Sequence, residues 1–160
     1  MQFAGFLYQV CKILKPRIVV ETGVFWGYST ACILQALNEN NKGTLYSIDR
    51  TPQLLESLGL ISGCIVPEKL KNNWRFFKGR SADLLPSVLE QIKEIDIFIH
   101  DSYHSYDNML FEYQEAWPHI RKGGALLSHD VLDNGAFSEF AAMHELNYVV
   151  QNITGVTIKE

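Results

Sequence analysis

Short β-rich apolar runs alternate with helix-compatible segments along almost the whole chain, and few folds accept that pattern. Residues 17–23 (RIVVETG), 43–49 (GTLYSID), 74–78 (WRFFK), 95–101 (IDIFIHD) and 125–131 (ALLSHDV) are near-continuous apolar runs, as expected of strands covered on both faces. The segments between them, 29–41, 52–60, 82–93, 106–121 and 136–147, have helical length and spacing. The alternation predicts an α/β, Rossmann-like, doubly wound and mostly parallel sheet with helices on both sides. Pro52 suits a first helical turn. Gly123-Gly124 reads as the break between the helix over 106–121 and the strand at 125–131. At the end of the chain, 148–153 and 156–160 read as strands joined by a tight turn at Thr154-Gly155. This antiparallel hairpin makes seven strands in all. Residues 1–14 read as an amphipathic helix, and 60–73 as a surface loop with one helical turn.

Composition narrows the class further. The chain has 160 residues, 47% hydrophobic and 20% charged, with a net charge of −4, which suits one domain, residues 1–160, with its own core. Its three cysteines, Cys11, Cys32 and Cys64, are odd in number and lack C-x-x-C spacing. A disulfide framework and a zinc knuckle are therefore unexpected, and a reducing cytoplasm is the simplest location. The acidic balance and the lack of any Lys/Arg run argue against nucleic acid or an anionic membrane as partner. No apolar run reaches the roughly 20 residues of a spanning helix, and the opening residues lack a signal-peptide pattern.

Function is expected at the carboxyl ends of the strands, where open α/β sheets bind ligands. After the first strand the chain reads Glu21-Thr22-Gly23-Val24-Phe25-Trp26-Gly27-Tyr28-Ser29-Thr30 and enters a helix. Glycines let backbone pass close to a ligand, and a helix start offers free N–H groups. The glycines are four apart, with Phe25 and Trp26 between them, so this is neither a dinucleotide fingerprint nor a P-loop. Asp49 ends the second strand, where a carboxylate can accept both hydroxyls of a ribose. Together these features favour an adenosine-containing ligand with little phosphate, a description that S-adenosylmethionine (SAM) fits.

A second group collects at two neighbouring strand ends: His100, Asp101 and His104, then His129 and Asp130. Two carboxylates, Asp101 and Asp130, could hold a hard cation such as Mg²⁺, and His104 could take a proton from a substrate hydroxyl. Because successive strand residues face opposite ways, Asp101 is preferred over His100 and Asp130 over His129. His119 and His144 read as ordinary helix residues.

These residues resemble the class I SAM-dependent methyltransferases, in particular the catechol and caffeoyl-CoA O-methyltransferase group with its cephalosporin-hydroxylase-like and macrocin-type relatives. The resemblance runs from about Arg17 to Asn134. It rests on the Glu21 to Ser29 loop, on Asp49, on Gly79-Arg80-Ser81-Ala82-Asp83-Leu84-Leu85-Pro86, on Asp101-Ser102-Tyr103-His104 and on the run from Gly123 to Asp130. It implies SAM as cofactor, held by Glu21, Gly23, Phe25, Gly27, Tyr28, Ser29, Asp49, Ser81, Ala82, Asp101 and Tyr103. It also implies His104 and Asp101 as catalytic residues, Asp101 and Asp130 as Mg²⁺ ligands, and a small hydroxylated acceptor. Val131 stands where catechol-type enzymes carry an Asn ligand. His129, Asp133 or Asn134 could replace that Asn, or the site is metal-free. Only about sixteen residues precede the first strand, so the acceptor pocket is open, completed by a second copy in a homodimer, or missing because the chain is a minimal or trimmed form. Trp26, Tyr103, Tyr106 and Phe137 are candidate aromatic walls for the acceptor. Two other readings stay open: a SAM-binding module without activity, and a metal-dependent hydrolase built on the His/Asp cluster.

Overall fold

The computed structural model describes residues 2–160, so Met1, the first residue of the expected amphipathic helix, lies outside the described residues. Seven strands form one sheet: β1 (Ile18–Thr22), β2 (Thr44–Asp49), β3 (Trp74–Lys78), β4 (Ile95–His100), β5 (Ile120–Ser128), β6 (Tyr148–Gln151) and β7 (Thr154–Ile158). Their order is β3-β2-β1-β4-β5-β7-β6. The first five are parallel, and β7 runs antiparallel to both β5 and β6. The doubly wound, mostly parallel sheet with a closing hairpin is thus the observed fold.

Burial on both faces explains the continuous apolar strands. On one face α4 (Ser81–Ile92), α5 (Tyr106–Ala116) and α6 (Ala136–Met143) cover Val20, Ile48, Phe98 and Leu126. On the other, α1 (Gln2–Leu14), α2 (Tyr28–Glu39) and a 3₁₀ turn at Glu68–Asn73 cover Val19, Leu45, Ile97 and Leu127. No helix among the described residues is long and apolar enough to cross a membrane.

Several boundaries differ from the sequence expectation. Helix α5 ends at Ala116, a 3₁₀ turn takes Trp117–His119, and β5 begins at Ile120. Pro118, which lacks the N–H that would continue the helical hydrogen bonds, explains the stop. Gly123 and Gly124 therefore lie inside β5, where the register shifts so that Ile95 faces Ile120 but Ile97 faces Ala125. A Cβ on Gly124 would sit 2.7 Å from the Asp96 carbonyl oxygen. The glycines let a bulge pass rather than end a helix. Helix α3 is only Gln53–Ser57, with Pro52 just before it, and α6 stops at Met143. The hairpin turns at Asn152-Ile153, and Thr154-Gly155 already belongs to β7. Asn152 has φ 57, a conformation that Asn tolerates in such turns.

Asp96 ties the bottom of the sheet together. One carboxylate oxygen accepts the backbone N–H groups of Arg17 and Ile18, each at 2.8 Å, and the other accepts Arg121 Nε–H at 2.6 Å. Replacing it leaves two N–H donors and a guanidinium without their acceptor. Asp96→Ala is expected to lower unfolding free energy by about 2 to 4 kcal/mol in denaturant titration. A loss below about 0.5 kcal/mol would assign the anchoring elsewhere.

Candidate active site

The loop between β1 and α2 is shaped by two glycines that no other residue could replace. Gly23 has φ +87, and a Cβ there would lie 1.9 Å from the Asp101 carbonyl oxygen. Gly27 has φ +95, and its Cβ would lie 2.7 Å from Gly63 Cα. Gly23 thus lets the β1 and β4 ends touch, while Gly27 lets the segment around Gly63 close over the loop. That segment is held by Gly63 N–H donating to the Phe25 carbonyl at 2.8 Å and Ile65 N–H to the Trp26 carbonyl at 3.2 Å.

Asp49 belongs to the same construction. Its Oδ2 accepts the backbone N–H groups of Val24 at 2.9 Å and Phe25 at 2.7 Å, and Oδ1 accepts that of Thr51 at 3.3 Å. The carboxylate thus shapes the loop between β1 and α2. Beside it opens a cleft of about 670 Å³ between the ends of β1, β2, β3 and β4.

Of the cofactor residues expected from sequence, Gly23, Phe25, Asp49, Ser81, Ala82, Asp101 and Tyr103 line this cleft. Glu21 lies buried beneath it. Gly27, Tyr28 and Ser29 stand outside its lining, at the cap and first turn of α2. Val24, Ile48, Arg50, Pro52, Gly79, Arg80, Ser102 and Asn108 complete the wall; of these, Asn108 comes from α5, where spacing gave no sign of it. Phe137, expected as an acceptor wall, is buried against Tyr113 and Tyr148 in the core. Tyr103 is 75% exposed.

Two buried glutamates underlie the site, one on each face of the sheet. Glu21 accepts the hydroxyls of Thr30 at 2.7 Å and Ser47 at 2.6 Å. Burial outweighs these bonds and pushes its carboxyl up to about 8. On the opposite face Glu112 of α5 accepts hydrogen bonds from Thr22 and, at 2.6 Å, from Ser102, and it pairs with His100 Nδ1 at 2.7 Å. Burial pushes this carboxyl up too, but the bond from His100 and that from Ser102 outweigh it and leave it below the ordinary glutamate range. Asn108 spans Glu112 and the Tyr103 carbonyl at 3.1 and 2.9 Å, so Glu112 fixes the loop that carries Asp101 and His104. Its signal in the sequence is an acid at a core position of α5, in step with Met109, Tyr113 and Ala116.

The acid and histidine cluster sits at the ends of β4 and β5. Strand register pairs Ile99 with Leu127 and His100 with Ser128. Continued by one residue, it sets His129, not Asp130, beside Asp101. Accordingly His129 Nδ1 lies 3.2 Å from Asp101 Oδ1, and His100 turns inward to Glu112. Asp130 rejoins the cluster through a left-handed backbone, φ 51, which sets its Oδ2 3.2 Å from His129 Nδ1 and 3.6 Å from His104 Nδ1. His104 Nε2 is 3.7 Å from Asp101 Oδ1 and is buried without a hydrogen-bond partner among the described residues. Pairing with Asp101 raises His104 and His129 above the usual imidazole range, against the opposing effect of burial. Burial pushes Asp101 up, but the two imidazoles beside it outweigh burial and leave it below the usual carboxylate range.

Of the three replacements for the missing Asn, His129 alone is in the cluster. Asn134 donates to the His104 carbonyl at 3.1 Å and accepts from Ala136 N–H at 2.9 Å, and Asp133 is exposed. His119 lies in the 3₁₀ turn with Nδ1 2.9 Å from the Lys93 carbonyl, and His144 caps α6. A second cavity, of about 610 Å³, borders the cluster through His129 and is lined by Phe3, Phe6 and the hairpin turn from Gln151 to Thr154.

Two outcomes follow from this geometry. Asp49→Ala is expected to weaken ligand binding in the cleft by about 1.5 to 3 kcal/mol, read by calorimetric titration with SAM, and unchanged affinity would remove Asp49 from the site. Glu21, raised from 4.5 to about 8 on folding, contributes stability that is full below its unfolded value and lost as pH rises through its folded value. The melting temperature should therefore fall between about pH 5 and about pH 8, and Glu21→Gln should remove at least about half of that fall. An identical fall in the variant would mean that another group titrates.

Solved structures share this architecture. The SAH-bound methyltransferase of Podospora anserina superposes with a TM-score of 0.73 at 11% identity, over 98% of this chain and 77% of that one. The O-methyltransferase of tomaymycin synthesis from Streptomyces achromogenes, in complex with SAM, gives 0.70 at 17% identity, over 98% and 79%. An O-methyltransferase from Bacillus cereus in complex with SAH gives 0.69 at 14%, over 98% and 80%. At these identities the likeness establishes the fold. Residues 20–131 match the methyltransferase domain family. That match takes in the glycine loop, Asp49 and the Asp101 to Asp130 cluster, and with it the chain belongs to the methyltransferase domain family.

Proposed function

We propose that the chain is a SAM-dependent methyltransferase acting on a hydroxyl oxygen of a small acceptor. The observation that carries this reading is that one loop, residues 101–104, serves two sites. Asp101, Ser102 and Tyr103 wall the cofactor-sized cleft, while Asp101 and His104 form the titratable cluster next to the second cavity. A donor in the cleft and an acceptor in the cavity would meet at Asp101.

The cleft suits SAM on its own chemistry. Gly23 leaves its floor free of side chain, Asp49 supplies a carboxylate for ribose hydroxyls, and Ser81 and Ala82 offer a narrow wall for an adenine. When bound, SAM supplies an electrophilic methyl on sulfur, and attack by oxygen breaks the C–S bond and leaves a neutral thioether. The protein's part is to hold the oxygen in line and take its proton. His104 Nε2, buried and without a hydrogen-bond partner among the described residues, is the acceptor for that proton, and Asp101 stabilises the resulting imidazolium. Phe3 and Phe6 give the acceptor an apolar wall.

Mg²⁺, implied by the resemblance at Asp101 and Asp130, does not fit this donor set. Mg²⁺ favours oxygen ligands, whereas the Asp101 carboxylate faces both imidazoles and Asp130 reaches the same two rings. No step is assigned to it.

The test is kinetic and calorimetric on one variant. His104→Ala should lower turnover on a hydroxylated acceptor by roughly 10²-fold or more with SAM affinity unchanged. Equal loss of both would give His104 a structural role, and binding without any turnover in the parent chain would favour a silent SAM-binding module.

A further inference from the structure

We infer that the carboxamide oxygen of Asn108 reads the base of the cofactor, accepting a hydrogen bond from the exocyclic amine of adenine and rejecting purines that lack it. The inference rests on the SAM reading above and adds to it a residue that decides specificity. Hydrogen bonding fixes which way this amide points. Its nitrogen lies 2.9 Å from the Tyr103 carbonyl oxygen, 3.1 Å from Glu112 Oε1 and 3.1 Å from Ser102 Oγ. A carbonyl and a carboxylate only accept, so the atom facing them has to be the N–H₂ donor. Two protons among three acceptors leave none for the cleft. Oδ1 lies on the other side, toward the first turn of α4. The one hydrogen bond it receives among the described residues comes from the Ser81 hydroxyl at 3.5 Å, the outer limit for such a bond.

Asn108 lines the cleft together with Ser81 and Ala82, the wall that suits an adenine. Adenine carried on a ribose offers ring nitrogens that accept and a single group that donates, its exocyclic amine. An amide oxygen pairs with that amine and with nothing else on the base. Ala82 has no polar side-chain atom, and the Ser81 hydroxyl both donates and accepts, so it tolerates either kind of base edge. Asn108 Oδ1, which cannot donate, is the discriminating group. Hypoxanthine carries a carbonyl oxygen where adenine carries its amine. Two acceptors would then face each other without a proton between them, the arrangement by which a polar site rejects a close analogue. Because Asn108 is half-buried, water softens the penalty, and the expected preference for adenine is roughly 10- to 10²-fold, below that of a sealed site.

The experiment is calorimetric titration of the chain with S-adenosylhomocysteine and with its deaminated analogue, S-inosylhomocysteine. The parent chain should bind the adenosine compound roughly 10- to 10²-fold more tightly, and Asn108→Ala should bring the two affinities to within about threefold of each other. The ratio is the informative quantity. Asn108 also holds the Tyr103 carbonyl and Glu112, and a purely structural role would weaken both ligands together and leave their ratio alone. Asn108→Asp keeps an oxygen acceptor but loses the N–H₂ group, so it should keep most of the discrimination even where both affinities fall. That variant decides the matter if the alanine one proves too loose to bind either ligand. Equal binding of the two compounds by the parent chain, an undiminished ratio in Asn108→Ala, or loss of the ratio in Asn108→Asp would overturn the inference and leave the SAM reading standing. Binding of neither compound by the parent chain would overturn both.

Discussion

The closest constraint in the molecule is the contact between Gly23 and the Asp101 carbonyl, where any side-chain carbon would stand 1.9 Å from the oxygen. It occurs where the strand order reverses. From β1 the chain winds outward through β2 and β3, and from β4 through β5 and the hairpin, so loops leaving β1 and β4 diverge and open a crevice between them. A bare backbone at residue 23 lets the two loops touch at its base. The cleft and the acid and histidine cluster therefore share Asp101.

Beneath that junction lies a layer of buried polar groups whose charge states differ for a plain reason. Glu21 meets only hydroxyls, so burial dominates and favours its neutral form. Glu112 meets an imidazole as well as hydroxyls, and the charged form is retained. Each acid anchors a different face: Glu21 joins β1 and β2 to α2, whereas Glu112 joins β1 and β4 to α5 and, through Asn108, to the loop at Tyr103. A buried acid of this kind helps to specify one arrangement, because every polar neighbour depends on it.

The cluster itself shows how strand register decides chemistry. His129 and Asp130 are adjacent in sequence, and alternation alone cannot say which one accompanies Asp101. Pairing of Ile99 with Leu127 decides for His129, and the left-handed backbone at Asp130 returns that carboxylate to the same space. Two imidazoles then lie among two carboxylates.

The strands, the glycine loop, Asp49 and the Asp101–His104 step were legible in the sequence because each is a local pattern: an apolar run, a turn that needs glycine, an acid at a strand end. Boundaries were less legible. Pro118, not Gly123-Gly124, stops α5, because a missing N–H acts sooner than a flexible backbone. Asn108 and Glu112 reach the site from α5, far along the chain from the glycine loop, and although Glu112 stands out as an acid at a core helix position, no local pattern says which loop it meets. Sequence by itself determined that this is a doubly wound α/β chain with a glycine-shaped loop after its first strand, since hydrophobic period and turn chemistry act over a few residues. Only tertiary structure decided which of two neighbouring residues faces Asp101 and which acid lies under the loop. Those outcomes depend on the register of parallel strands and on which helix face is buried, properties that exist only once distant segments pack.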